Sequence, residues 1–434
     1  MGRSESDDRR TDRTNPQAVG CGGMDHSIEI DPDRFRRSFE EYSAIGATDN
    51  DGLHRLTLTD EDAAVRDLFV SDLESLGLEV TIDEMGNVFG RRPGTDPDAD
   101  PVMIGSHLDS QPKGGRFDGQ LGVLVALETM RALEDAGIET DRPVEIVNWT
   151  NEEGSRFENP LLGSSVFIGN TSLEEAYDLT DDDGIRFEDE LERIGYKGDA
   201  PCEARPIHSF LELHIEQGPY LEEHGNAVGV VEGVYGMAWL QATIHGHADH
   251  AGPTPMHTRT DALTAAAKAI REVESLPLRL SEDAVATVGR IDVEPDSINV
   301  IPSRADFTID VRSYDDDVVD RAIEEAEFEV ATAADRAGGE YDFEQIWRIP
   351  HTEFSPSVAD AAAAAAEAVD ASYERMVSGA GHDAKYLNEI TDTAMLFVPS
   401  ADGNTHNEAE FTPWEDCVTG ARTFAEATRR LATE

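Results

Sequence analysis

The sequence predicts an α/β protein in two parts: a sheet covered on both faces by helices, and an inserted ferredoxin-like domain. Four short apolar runs, VMIG (102–105), VEIVNWT (144–150), FLELHI (210–215) and TAMLFVP (393–399), alternate with helical patterns, as fully buried strands do. Between residues 236 and 348 the order becomes β-α-β-β-α-β, the ferredoxin-like plan. A length of 434 residues accommodates two or three domains at about 150 residues each.

Residues 1–26 are polar and aperiodic and read as a flexible tail, in which Met24 is a candidate start. From Asp31, DPDRFRRSFEEYSAIG opens on Asp-Pro and continues with apolar residues at helical spacing. DEDAAVRDLFVSDLESLGL repeats this and stops at Gly77, a glycine stop signal. GVLVALETMRALEDAG (122–137) is a helix between the first two strands. In the insert, MAWLQATIHG (237–246) is a strand, DALTAAAKAIREVESL a helix, AVATVGRIDV and ADFTIDVRS strands, DDVVDRAIEEAEFEVATAADRAG a helix and YDFEQIWR a strand. HTEFSPSVADAAAAAAEAV resumes the helices of the first part, its alanine run 361–366 predicting tight packing. The larger domain therefore spans 27–235 and 349–434, with 236–348 inserted.

Charge excludes whole classes of function. Thirty-five Lys+Arg against 90 Asp+Glu give a formal charge of −55, the wrong sign for neutralising phosphates or docking on anionic lipid. The carboxylates are spread over the whole chain, and lysine survives only at Lys113, Lys197, Lys268 and Lys385. This predicts a protein adapted to molar salt, where the Debye length is about 3 Å and self-repulsion is muted. Cys21, Cys202 and Cys417 are too scattered for a disulfide framework and fit a reducing cytoplasm. Arg9-Arg10 lacks the apolar stretch of an export signal, and no window approaches the roughly 18 apolar residues of a membrane span.

The chemistry gathers where strands end. GSHLDSQPKGGRFDGQLGV (105–123) places His107 at a strand's carboxyl end, where ligands collect in open α/β sheets. Asp109 is suited to orienting that imidazole, and Asp118 follows a Gly-Gly turn just before a helix; a glycine-rich loop with a capping aspartate reads equally well. VEIVNWT runs into Glu152-Glu153, so one carboxylate can ligate a metal while the other takes a proton from water; the alternative is a solvated acidic turn. His214 lies within a further apolar strand, FLELHIEQGP, where a lone histidine also reads as a satisfied core residue, and His406 lies in ADGNTHNEAE just beyond another strand. His107, Asp118, Glu153, His214 and His406 make an inventory for two metals sharing a carboxylate. In the insert, His245, His247 and His250 do not converge, and His250 reads as a hydrogen-bond donor. Arg312 ends an alternating strand as a fork for a carboxylate, or else as a surface ion pair.

Taken in order, GSHLDSQPKGGRFDGQLGV, NEEGSRF, ELHIEQGP, HAGPTPM, SINVIPSRADFTIDVR and SGAGHDA resemble the successive motifs of the M20-type metallopeptidase superfamily. The resemblance covers about residues 27–430 and is to the amidase, hydantoinase/carbamoylase branch, which holds N-carbamoyl-L-amino acid hydrolases, β-ureidopropionases and allantoate amidohydrolases. It implies a dinuclear-metal catalytic domain with an inserted dimerisation and lid domain. It implies His107, Asp118 and His214 on one metal, and Asp118, Glu153 and His406 on the other. The ions would be two divalent metals, zinc first, with manganese, cobalt or nickel also fitting such ligands. Glu152 would be the general base, generating a hydroxide that bridges the metals. Gln217, His250, Asn299 and Arg312 would contact substrate, with Arg312 and Asn299 on its carboxylate and His250 on the oxyanion. Gly381 would lie at the substrate site with His382 beside it. The homodimer would present His250 across its interface. The final ligand motif usually reads SHNPAE; here Glu408 replaces the proline, which would loosen that loop. The implied activity is hydrolysis of a linear C–N amide bond in a carbamoyl or ureido compound; the alternatives are a sister aminoacylase or dipeptidase and a non-catalytic amino-acid-binding relative.

Overall fold

Apolar strands that bury both faces set the first sheet. The computed structural model describes residues 28–433 except Glu282; the 1–26 tail, with Met24, Cys21 and Arg9-Arg10, lies outside the described residues. Val102–His107, Val144–Trp149 and Ser209–Ile215 are buried throughout, as is Asp392–Val398 after its first residue. These four run parallel, with Val102–His107 between Val144–Trp149 and Ser209–Ile215, and Asp392–Val398 beyond the last. Their carboxyl ends therefore emerge along one edge, which is where open α/β sheets put their ligands. Further strands complete a nine-stranded sheet among the described residues, with Val88–Arg92 and Val228–Val234 pairing antiparallel at its two sides.

Alternation within each strand feeds two cores. Ile104, Ile146, Leu211, Leu213 and Leu396 face the helices Gln120–Asp135, Pro356–Ala368 and Trp414–Ala432. Met103, Val147, Phe210, Met395 and Phe397 face the other way, against Phe167 and Leu387. Within the alanine run, Ala362, Ala363 and Ala365 are buried in the same cluster as Ala421 and Ala425 of the last helix. Side chains this small let two helix backbones approach closely.

The second sheet is one-sided. Gly236–His245 lies between Arg304–Ser313 and Glu340–Ile349, all antiparallel, which gives the expected β-α-β-β-α-β order. Ala238, Leu240, Ala242, Phe307, Ile309 and Val311 pack on the helices Ala262–Glu274 and Asp316–Ala337. Trp239, Gln241, Thr308, Asp310 and Arg312 alternate onto the face without helices. One expectation is corrected: AVATVGRIDV is two short strands, Val285–Thr287 and Ile291–Glu294, not one. Both pair with Arg304–Ser313, but three residues (288–290) span only two on the partner (308–309). The extra residue, in a segment containing Gly289, interrupts the ladder as a bulge does. Asp249–His250 and Val300–Ile301 form a separate two-stranded ribbon. Among the described residues no helix is long and apolar enough to cross a membrane.

Candidate metal centre

The carboxyl edge of the four parallel strands gathers side chains from distant segments. His107 ends its strand, and its Nδ1 lies 3.0 Å from the Asp109 carbonyl oxygen. A carbonyl only accepts, so Nδ1 carries the proton and Nε2 presents a lone pair. His214 Nδ1 likewise donates to a carbonyl, that of Ile215, at 3.0 Å, which leaves Nε2 as the atom turned to the site. Both Nε2 atoms face Asp118 Oδ1, at 3.7 Å from His107 and 3.1 Å from His214. Asp118 turns its other oxygen to His406 Nε2 at 3.4 Å, and Glu153 Oε2 lies 3.6 Å from that same nitrogen. Two donor groups result, His107–Asp118–His214 and Asp118–Glu153–His406, each with its ligand atoms within 4.8 Å of one another.

The donors fit divalent cations. His107 Nε2 is buried without a hydrogen-bond partner among the described residues, an expensive state for a polar atom unless a ligand meets it. Gly119 makes the approach possible: its φ is +62° and an added Cβ would strike the His107 ring. Burial alone would raise Asp118, but the His214 hydrogen bond and the surrounding histidine charges outweigh it and lower its pKa. Burial would lower His214, yet the bond to Asp118 pushes it up to about 9; a metal at Nε2 would displace that proton.

Glu152 is buried with Oε2 3.4 Å from His107 Nε2. Burial first, then the charges of Asp383, Glu153, Asp118 and Asp109, raise its carboxyl well above the usual range. Glu153 is also raised by burial, while Gln111 donates to it through both backbone and side chain. The expectation for Asp109 needs correction: its carboxylate stands 3.7 Å from His107 Nδ1, and its backbone carbonyl orients the ring. The Asp109 carboxylate instead accepts from the Thr57 hydroxyl and from the amides of Glu152 and Glu153. It thus fixes the turn that carries both glutamates.

Gln217, held at φ +60°, donates to Asp118 Oδ2 and Thr405 Oγ1. Glu410 accepts from the amides of Phe117 and Asp118. The loop with Glu408 is tethered, since Asn50 Nδ2 donates to the Glu408 carboxylate at 2.9 Å. That tether stands where the usual proline would have stiffened the chain.

A cavity of about 630 Å³ opens on this edge and reaches the second sheet, touching Glu152, Gln217, Trp239, Arg312, Trp347 and Gly381. Arg312 is ion-paired and cavity-lining at once: Nε and Nη2 donate to Asp310, and Nη1 donates to the Gly379 carbonyl. His250 and Asn299 are not brought to the cavity. Both are exposed, His250 on the two-stranded ribbon and Asn299 in the turn just before its second strand.

Sequence reasoning passed over Glu212. It is two residues before His214 on a strand, hence on the same side, and with His214 and His382 it forms a third donor group. Ser106 donates to it, yet burial pushes it up to about 7. Asp383, next to His382, is buried and accepts from the Ser164 hydroxyl. The E-x-H spacing was the available signal for Glu212.

Residues 103–430 match the family model described as Peptidase family M20/M25/M40. An N-carbamoyl-L-amino-acid amidohydrolase of Rhizobium meliloti is 42% identical over 392 residues, covering 90% of this chain and 94% of that protein. One of Paenarthrobacter aurescens is 36% identical over 403 residues, covering 92% and 98%. The crystal structure of a hydantoinase/carbamoylase family amidase from Burkholderia multivorans superposes with a TM-score of 0.90 at 46% identity, covering 94% of this chain and 99% of that one.

Proposed function

This chain belongs to peptidase family M20/M25/M40, and from that premise we propose that it hydrolyses the linear C–N amide bond of N-carbamoyl or ureido compounds, N-carbamoyl-L-amino acids foremost. The observation carrying the reading is Asp118, whose two oxygens face two separate donor groups, with Glu152 beside them and in neither. Relatives named N-carbamoyl-L-amino-acid amidohydrolase support the substrate class.

His107, Asp118 and His214 would hold one divalent ion, and Asp118, Glu153 and His406 the other. Zinc suits these donors first, and manganese, cobalt and nickel fit as well. When bound, the pair supplies Lewis acidity that lowers the pKa of water and polarises the carbamoyl oxygen. Glu152 takes the proton of the attacking water and returns it to the departing nitrogen. Its place beside the two donor groups, 3.4 Å from His107 Nε2, suits a group that hands a proton from one to the other. Arg312 engages the substrate's carboxylate from within the cavity, Gln217 contacts the substrate beside Asp118, and Gly381 leaves room. The products are the free amino compound, carbon dioxide and ammonia.

His250 and Asn299, exposed away from the cavity, complete the reading only if a second copy brings them in. We therefore include a homodimer through residues 236–348, with His250 donating to the oxyanion, and a cytoplasmic setting at high salt that matches the −55 charge.

The test is ammonia release by metal-loaded protein in molar potassium chloride from N-carbamoyl-L-amino acids, β-ureidopropionate and allantoate, beside N-acetyl-amino acids and dipeptides. Release from a ureido compound supports the reading. Inert ureido compounds with acetate or amino-acid release would overturn it in favour of an aminoacylase or peptidase.

A further inference from the structure

The cavity wall contributed by the second sheet carries more apolar surface than a site for a small polar ureido acid requires. The chain has four tryptophans. Trp149 is fully buried, and Trp414 packs against Phe35 and Phe39. Trp239 and Trp347 remain 47% and 38% exposed. They are register partners on adjacent strands, with rings 5.2 Å apart and inclined at 48°. The irregularity between Gln345 and Trp347 leaves Ile346 beside them, 54% exposed. On a chain this acidic, a contiguous exposed apolar patch inside a cavity marks a binding surface.

The patch is tied to the carboxylate-binding fork. Trp239 Nε1 donates to Asp310 Oδ2 at 2.8 Å, and Asp310 holds Arg312 through Nε and Nη2 at 2.9 Å each. In the ladder, Asp310 faces Trp239 and Arg312 faces Met237. Arg312 and Trp239 are thus diagonal neighbours on one face, about 7–8 Å apart, with Trp347 beside Trp239. An amino acid carries its carboxylate and its side chain on one carbon, so a substrate whose carboxylate meets Arg312 can lay a large side chain, which spans that distance, on the indoles.

We propose that Trp239 and Trp347 form the side-chain subsite of this hydrolase, selecting N-carbamoyl-L-amino acids with large apolar or aromatic side chains. This inference rests on the carbamoyl reading above and refines its substrate class. β-Ureidopropionate and carbamoylglycine leave the indoles uncovered. Allantoate presents a second ureido group whose polar atoms find no partners on that wall. Both kinds of compound are selected against.

The experiment compares kcat/KM for ammonia release from N-carbamoyl-L-phenylalanine and N-carbamoylglycine, with native protein and with Trp347→Ala and Trp239→Phe. Native protein is expected to favour phenylalanine by about tenfold or more, as side-chain burial in an apolar pocket does. Trp347→Ala should cut that ratio by about tenfold, chiefly through KM, while Trp239→Phe keeps most of it because an aromatic face remains. Quenching of tryptophan fluorescence by N-carbamoyl-L-phenylalanine in Glu152→Gln protein reads binding without turnover. A native ratio near one, or a ratio unchanged in Trp347→Ala protein with native circular dichroism, overturns the inference and leaves the carbamoyl reading intact. If ureido compounds are inert and N-acetyl compounds are cleaved, the carbamoyl reading fails. The subsite is then judged by the same ratio between N-acetyl-L-phenylalanine and N-acetylglycine.

Discussion

The two sheets differ in what their faces meet. The first is buried on both faces, and its site groups gather toward the strand ends: His107, Glu152, His214 and Glu216 stand at, near or just past them, while Glu212, inside its strand, is met by the Ser106 hydroxyl. The second is buried on one face, and its other face can hold polar and aromatic groups anywhere along its length, from Arg304 to Arg312. The first sheet thus concentrates reactive groups along one edge. The second spreads polar and aromatic groups over a surface.

Substitutions can break that contrast. The largest effect belongs to the first sheet's edge: Glu152→Gln should lower turnover by about 10²- to 10⁴-fold, while metal content measured by mass spectrometry stays native. Turnover within a few fold of native would remove Glu152 from its role. Phe307, fully buried between the second sheet and its helices, should cost about 3–5 kcal/mol on change to alanine, read by urea unfolding in molar salt. A smaller loss would mean that the one-sided core is loosely packed.

Lys385 sharpens the contrast from the cavity side. It is buried, its Nζ has no hydrogen-bond partner among the described residues, and burial pushes it down from 10.5 to about 8. Between those pH values the unfolded chain holds the extra proton, so native stability rises with pH there. Below pH 8 the ammonium costs roughly 3 kcal/mol as an upper figure. Lys385→Met should therefore raise the melting temperature at pH 7, and its advantage over native protein should shrink as pH climbs toward 10. An advantage independent of pH would assign the gain to packing instead. The smallest effect is expected at Thr308→Ala, one residue from Phe307 but on the half-exposed face, within about 0.5 kcal/mol.

Much of this was legible in the sequence because it is local. Continuous apolar runs marked strands buried on both faces, and alternation in ADFTIDVRS marked the one-sided sheet. His107, His214 and His406 could be placed at strand ends from the turn residues that follow them. What was not legible depends on where separate segments meet. That His107 is oriented by a carbonyl and not by the Asp109 carboxylate depends on the bend of the backbone after the strand. The pairing of Trp239 with Trp347 joins residues more than a hundred apart. The break in AVATVGRIDV follows from one surplus residue against its partner strand, which periodicity within a single segment does not reveal.

The scarcity of lysine has a practical use. Of the four, Lys385 is buried and Lys197 is held by Glu188 and Glu192. Lys113 and Lys268 are exposed, the first on the loop between His107 and Asp118, the second on a helix of the second sheet. Amine-reactive dyes applied to the native protein would thus reach Lys113 beside the carboxyl edge and Lys268 on the second part, besides the chain's α-amino group. Energy transfer between the two lysine positions then reports any change in their separation when substrate is added, with no side chain replaced.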